Sequence, residues 1–196
     1  MSSDATPARS AASPQRADSR RNREQVLRAA AVVFGRDGTA ASTEQVAREA
    51  GVGIGTVFRH FPTKAELLAA VLVEHLRGMT GDARALAEAP DAGVAFRSFF
   101  RDFVHRAAVT DALVEALAQV GGDVLEAKSS MKGEFRQAIA VLLERAQAAG
   151  AVRADLAVAD LLALLVGASR AAQHAAALGA PGALVIDVVL DGLRPE

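Results

Sequence analysis

Apolar positions recur at helical spacing almost from end to end of this chain. Leu27, Ala30, Ala31 and Phe34 fall at i, i+3, i+4 and i+7 and predict a helix over residues 20–35, closed by the turn signal Asp37-Gly38. Two short helices separated by Gly51 follow, over 42–60. After Phe61-Pro62 a longer one is predicted over 63–77, carrying Leu67, Leu68, Val71, Leu72 and Leu76, with Gly78 and Gly81 loosening its end. Asp91 opens another, on which Phe96, Phe99, Phe100, Phe103 and Ala107 share a stripe. A separate helix over 111–119 is ended by Gly121-Gly122, and residues 123–132 read as a loop. From 133 to 149 the period returns with Phe135, Ile139, Leu142, Leu143 and Ala146, and Gly150 stops it. Residues 158–177 keep the cleanest repeat, with Val158, Leu161, Leu162, Leu165 and Val166. Small residues from Gly167 to Ala176 then permit another helix to approach closely. Pro181 starts a last helix that is apolar on most sides from Leu184 to Leu193, apart from Asp187 and Asp191. The expected fold class is all-α.

The segment 42–64, STEQVAREAGVGIGTVFRHFPTK, is the most specific stretch. Ser42 reads as an N-cap and Gln45 completes a capping box. Val46 and Ala47 give the first helix an apolar face, Gly51 supplies the left-handed residue that ends it, and a second helix is predicted over 54–60. Helix, glycine turn, helix is the helix-turn-helix pattern, whose second member lies in the DNA major groove. Gly53 and Gly55 cost so short a helix up to about 1 kcal/mol each, which makes sense where backbone must approach a duplex. Arg59 is the candidate for reading a guanine, because its fork matches O6 and N7; a phosphate contact is the alternative. Thr63 caps the following helix with Glu66 at the capping-box position, so Lys64 stands in its first turn.

The pattern T-x-x-x-A-x-x-A-G-V-x-x-G-T-x-[YF]-x-H-F-x-x-K-x-x-L, spelled here from Thr43 to Leu67, resembles the tetracycline-repressor (TetR) family of bacterial one-component regulators. The likeness covers residues 20–72. It implies that Ile54, Gly55 and Arg59 contact base edges or adjacent backbone and that Thr43, Thr56, Phe58, His60 and Lys64 grip phosphate. Gly53 and Val57, assigned to the same helical face as Ile54, complete the DNA-binding set. Phe58 stands where the family more often has tyrosine, which removes a hydroxyl-to-phosphate hydrogen bond of about 1 kcal/mol per half-site. The resemblance also implies a two-fold homodimer built on the last two helices, here Leu161, Leu165, Ala168, Ala172, Leu184, Val185, Val188 and Val189. The matching double-stranded operator would be palindromic, with half-sites roughly 34–36 Å or a similar small spacing apart. A small, largely apolar effector is expected in the helical body, lined by Phe96, Phe99, Phe103, Met131 and Phe135. Arg170, Gln173 and His174 form a polar strip that would hydrogen-bond it. Core packing and a solvent-facing or interface strip are the competing uses of those residues.

Composition changes this picture in a few respects. The average charge is −1, yet residues 1–64 hold 10 Lys+Arg against 6 Asp+Glu, a net of +4, and residues 65–196 hold 12 against 17, a net of −5. A basic head on an acidic body meets phosphate at one end only. The absence of cysteine removes thiolate metal sites, disulfides and cysteine nucleophiles. The histidines His60, His75, His105 and His174 show no metal-ligand spacing and no Gly-rich phosphate loop follows a strand, so no metal, no cofactor and no enzymatic role is expected. No secretory signal or membrane span is evident, which suits a cytoplasmic protein. The division read from the chain is a disordered arm at 1–19, a DNA-binding head at 20–65 and an effector-binding and dimerisation body at 66–196. The arm's alternative use is a basic strand in the minor groove. A dimeric repressor released by an effector is the function expected. A helical ligand-binding or catalytic protein with a relic head, or an activator or effector-independent regulator, are the alternatives.

Overall fold

The computed structural model describes residues 14–195, and among them there are eight α-helices, one 3-10 turn and no strand. The helices are α1 (Pro14–Asp37), α2 (Thr43–Glu49), α3 (Ile54–His60), α4 (Lys64–Ala87), α5 (Ala92–Gln119), α6 (Val124–Ala148), α7 (Val158–Ala177) and α8 (Ala183–Gly192). α2, α4 and α5 start at the positions read from the sequence, Ser42, Thr63 and Asp91. Ser42 Oγ accepts the Gln45 N–H at 3.2 Å while Gln45 Oε1 accepts the Ser42 N–H at 2.7 Å, the reciprocal capping box. Thr63 Oγ1 accepts the Glu66 N–H at 3.1 Å, and Asp91 and Asp123 cap α5 and α6 through Val94 and Glu126, each at 2.8 Å.

Several helices run further than their periodicity suggests. α1 begins at Pro14, where proline costs no helical hydrogen bond, and Arg20–Glu24 and Arg21–Asp18 pair along its first turns. Residues 1–13, the larger part of the arm expected at 1–19, lie outside the described residues. α4 continues through Gly78 and Gly81 to Ala87, because Met79, Thr80, Ala83 and Ala87 are buried beyond them. Packing of that face outweighs the propensity cost of the two glycines. The helices expected separately after Asp91 and Asp111 are one, α5, since no glycine or proline interrupts residues 94–119. The loop expected over 123–132 is instead the start of α6, nucleated by the Asp123 cap.

Two apolar clusters hold the molecule together. The first joins Val26, Ala30, Val33 and Phe34 of α1 to Val46, Val57 and Phe61, and to Leu67, Leu68, Val71 and Leu72 of α4; Leu113 and Leu117 from the far end of α5 close it. The second packs Ala83 and Ala87 of α4 with Phe96, Phe99 and Phe100 of α5, Ile139, Leu142 and Leu143 of α6, Leu161 and Leu165 of α7, and Ile186 and Leu190 of α8. α4 contributes to both, and its main partner is α6. The helix that leaves the small head is therefore the same rigid rod that enters the body.

Candidate nucleic-acid interface

Gly51, at φ +66°, turns the chain between α2 and α3 in a conformation that side chains disfavour. Its N–H donates to the Arg48 carbonyl and the Val52 N–H to the Ala47 carbonyl at 3.0 Å, so the turn closes on the end of α2. α3 then starts from the extended Gly53 and is seven residues long, with its inner face anchored by a fully buried Val57 and by Phe61 just beyond its end. What remains outside is a narrow strip. Ile54 and Phe58 are 38% and 44% exposed, Gly55 and Arg59 lie beside them in the open, and Gly53 is exposed at the entry. Among the described residues Arg59 has no ion pair or hydrogen bond. An added Cβ at Gly53 or Gly55 would meet nothing within 4 Å, so neither glycine is required by the packing of the protein itself.

The sequence-derived DNA set divides on this geometry. Gly53, Ile54, Gly55, Phe58 and Arg59 share one outward surface, and Thr56 and His60 flank it, half-buried. Val57 does not belong to the surface: it has no exposure, because its side chain packs into the first core. Thr43 is buried at the start of α2. Lys64 is half-buried, and its Nζ donates to the Ala41 carbonyl at 2.7 Å and lies 5.8 Å from the Phe34 ring centre, tying α4 to the segment between α1 and α2. Electrostatics brace the same corner. A hydrogen bond from Arg36 holds the Asp37 carboxyl below its ordinary range, and Asp37 in turn accepts from Gln45 Nε2 at 3.3 Å. Glu44 is also held low, first by its own backbone N–H and then by Ser42.

Among the described residues, the expected effector residues lie in more than one place. Phe99, Phe103 and Phe135 form a ring cluster, with Phe103 and Phe135 stacked at 5.9 Å, but Phe96 is buried in the core and the open space beside Phe99 and Phe103 is about 10 Å³. Met131 lies on α6, and its side chain is outside what is described. Arg170 and His174 are exposed on α7, and Gln173 Nε2 donates to Asp111 of α5 at 3.2 Å. A roomier concavity, about 610 Å³, sits between head and body, lined by Arg23, His60, Phe61 and the first half of α4. Nothing in the periodicity pointed to it, because it forms only where five helices meet.

The expected dimer residues also separate. Leu161, Leu165 and Ala168 are buried in the second core, so the regular stripe of α7 is its inner face, and Ala172 is half-buried beside it. Val185 and Val189 are half-buried, whereas Leu184 and Val188 stand 66% and 63% exposed, and Val166 on α7 is exposed as well. No group of side chains suited to holding a metal ion occurs among the described residues, and none of their helices is long and apolar enough to cross a membrane.

Residues 26–71 match the model of bacterial regulatory proteins of the tetR family, and residues 91–195 match that of the C-terminal domain of SbtR-like transcriptional regulators. The fold is similar to the crystal structure of a TetR transcription regulatory protein from Mycobacterium vanbaalenii, at 40% identity and a TM-score of 0.77, covering 93% of this chain and 100% of that one. It is also similar to the TetR transcriptional regulator SCO0520 from Streptomyces coelicolor, at 33% identity and a TM-score of 0.72, covering 88% and 98%. No curated protein matches the chain.

Proposed function

Because this chain belongs to the TetR family of bacterial transcriptional regulators, which are DNA-binding proteins and not enzymes, we propose that it works as a dimeric repressor of a palindromic operator. The observation that carries this reading is the outward strip of α3. It is thin, apolar where Ile54 and Phe58 project, and cationic at an unpaired Arg59. Such a strip suits a major groove: the apolar side chains would lie against thymine methyls and the guanidinium against a guanine edge. Thr56 and His60 at its margin, and the head's net positive charge, would supply phosphate contacts.

Two copies would join through α7 and α8, where Val166, Leu184 and Val188 are apolar side chains open to solvent. Each α4 would then transmit a change in the body to its own head, altering the distance between the two copies of α3. A small, largely apolar effector that favours the wrong distance would release the operator, with a coupling of about 1–3 kcal/mol. The cytoplasm is where such a device meets DNA. A gel shift against the DNA upstream of its own gene tests the reading. Tight, sequence-selective binding that weakens steeply with salt is expected, and indifference to sequence in dilute buffer would overturn it.

A further inference from the structure

We propose that the groove between head and body binds an organic cation with an apolar body, and that its occupation acts on the orientation of α3. The binding stands on the groove alone; its consequence for DNA rests on the regulatory reading above. At about 610 Å³ the groove has the size of a small-molecule site, and its apolar walls all belong to the first core, from head and body alike. Arg23 and Leu27 of α1 and Phe61 after α3 form one side, and Leu117 of α5 and the first turn of α6 form the other. The floor is α4, where Ala69, Ala70 and Val73 lie on one strip between Glu66 and Glu74.

Charge decides the class of ligand. Of the two guanidiniums at the rim, Arg77 pairs with Glu74 at 3.5 Å, and Arg23 lies over the Phe61 ring at 5.1 Å with its charge retained, against the four carboxylates of Glu66, Glu74, Asp123 and Glu126. Glu66, Asp123 and Glu126 have no ion pair among the described residues. Glu66 accepts the Thr63 hydroxyl and Asp123 the Glu126 N–H, bonds that satisfy oxygens but leave the negative charge in place. An apolar floor under uncompensated carboxylates favours a cation whose charge is attached to apolar bulk. An anion would be repelled. A bare metal ion would find no convergent set of ligands among the described residues. A bound cation would compete with Arg23 for the face of Phe61. Phe61 in turn closes the end of α3, its N–H donating to the Val57 carbonyl at 2.8 Å. The element that yields is therefore the one whose outward strip faces DNA.

Calorimetric titration of the full chain with tetraphenylphosphonium, and with the similarly shaped anion tetraphenylborate, tests the site. The phosphonium is expected to bind, with the borate about tenfold weaker or worse. Glu126→Gln, an exposed change, should weaken phosphonium binding several-fold without moving the melting temperature, and Ala70→Phe, which fills the floor, should abolish it. Equal binding of the two ions, or phosphonium binding undiminished by Glu126→Gln, would overturn the proposal, and this holds even if Ala70→Phe fails to fold. Operator gel shifts run without any ligand keep the two readings apart. If the operator is bound, phosphonium should release it from the parent chain but not from Glu126→Gln at the same concentration, and failure to do so overturns the claimed action on α3. If no operator is ever bound, the regulatory reading falls, and the titration still decides the site.

Discussion

Neighbouring residues on α3 carry separate tasks, and substitution should pull them apart. Arg59 is exposed and without an ion pair or hydrogen bond among the described residues. Arg59→Ala is expected to cost about 1–3 kcal/mol of operator affinity and to relax selectivity at one base pair, with the melting temperature unchanged; gel shifts on single-base operator variants read this out. Val57, two positions earlier, is fully buried. Val57→Ala should do the reverse, lowering stability by about 1–3 kcal/mol in a denaturant melt while leaving base selectivity alone. His75 is a third case. Its Nε2 is buried without a hydrogen-bond partner among the described residues, and burial, followed by the nearby Arg106 charge, lowers its pKa from the ordinary 6.5. The unfolded chain thus takes up a proton at a pH where the folded one still refuses it, so stability should fall as pH drops below about 6.5 and level off once both states are protonated. Melting temperatures across that range, compared with those of His75→Gln, check the slope, which the variant should flatten.

Scaled up to the element, α3 is a helix with two glycines at its start that the protein's own packing does not require. Gly55→Ala should therefore raise thermal stability by up to about 1 kcal/mol, through propensity alone, and at the same time weaken operator binding by placing a methyl between helix and duplex. Opposite signs in a melt and a gel shift would mark the glycine as functional; a gain in both would remove the argument from close approach. Gly51 behaves differently, because its φ of +66° makes any side chain there strained although space is available. α4 shows the converse balance. Gly78 and Gly81 weaken it locally, yet buried residues on either side keep it continuous from the head to the second core.

For the whole molecule, the exposed apolar side chains Leu184 and Val188 of α8, with Val166 of α7, are what a second copy would cover. Val188→Glu should convert a dimer to a monomer in sedimentation velocity without lowering the melting temperature of the protomer, since the side chain faces outward. Operator affinity should fall with it, because one head alone gains only half of the contacts. The acidic excess of the body and the basic excess of the head also belong to this scale. They orient the approach to a polyanion and keep the larger part of the molecule clear of it.

Local chemistry along the chain determined a great deal by itself. The caps at Ser42, Thr63 and Asp91, the stop at Gly51 and the helical periods are short-range effects, and so the all-helical class, the helix-turn-helix and the family resemblance were legible from residues alone. Periodicity could show that α7 has an apolar stripe but not what that stripe meets. Only tertiary packing turned Leu161 and Leu165 inward and left Val166 and Val188 outward. The same holds for Val57, for the Lys64 ammonium spent on Ala41, and for the merging of two expected helices into α5. A groove made by five helices has no sequence period at all, since its walls are brought together by contacts between residues far apart in the chain.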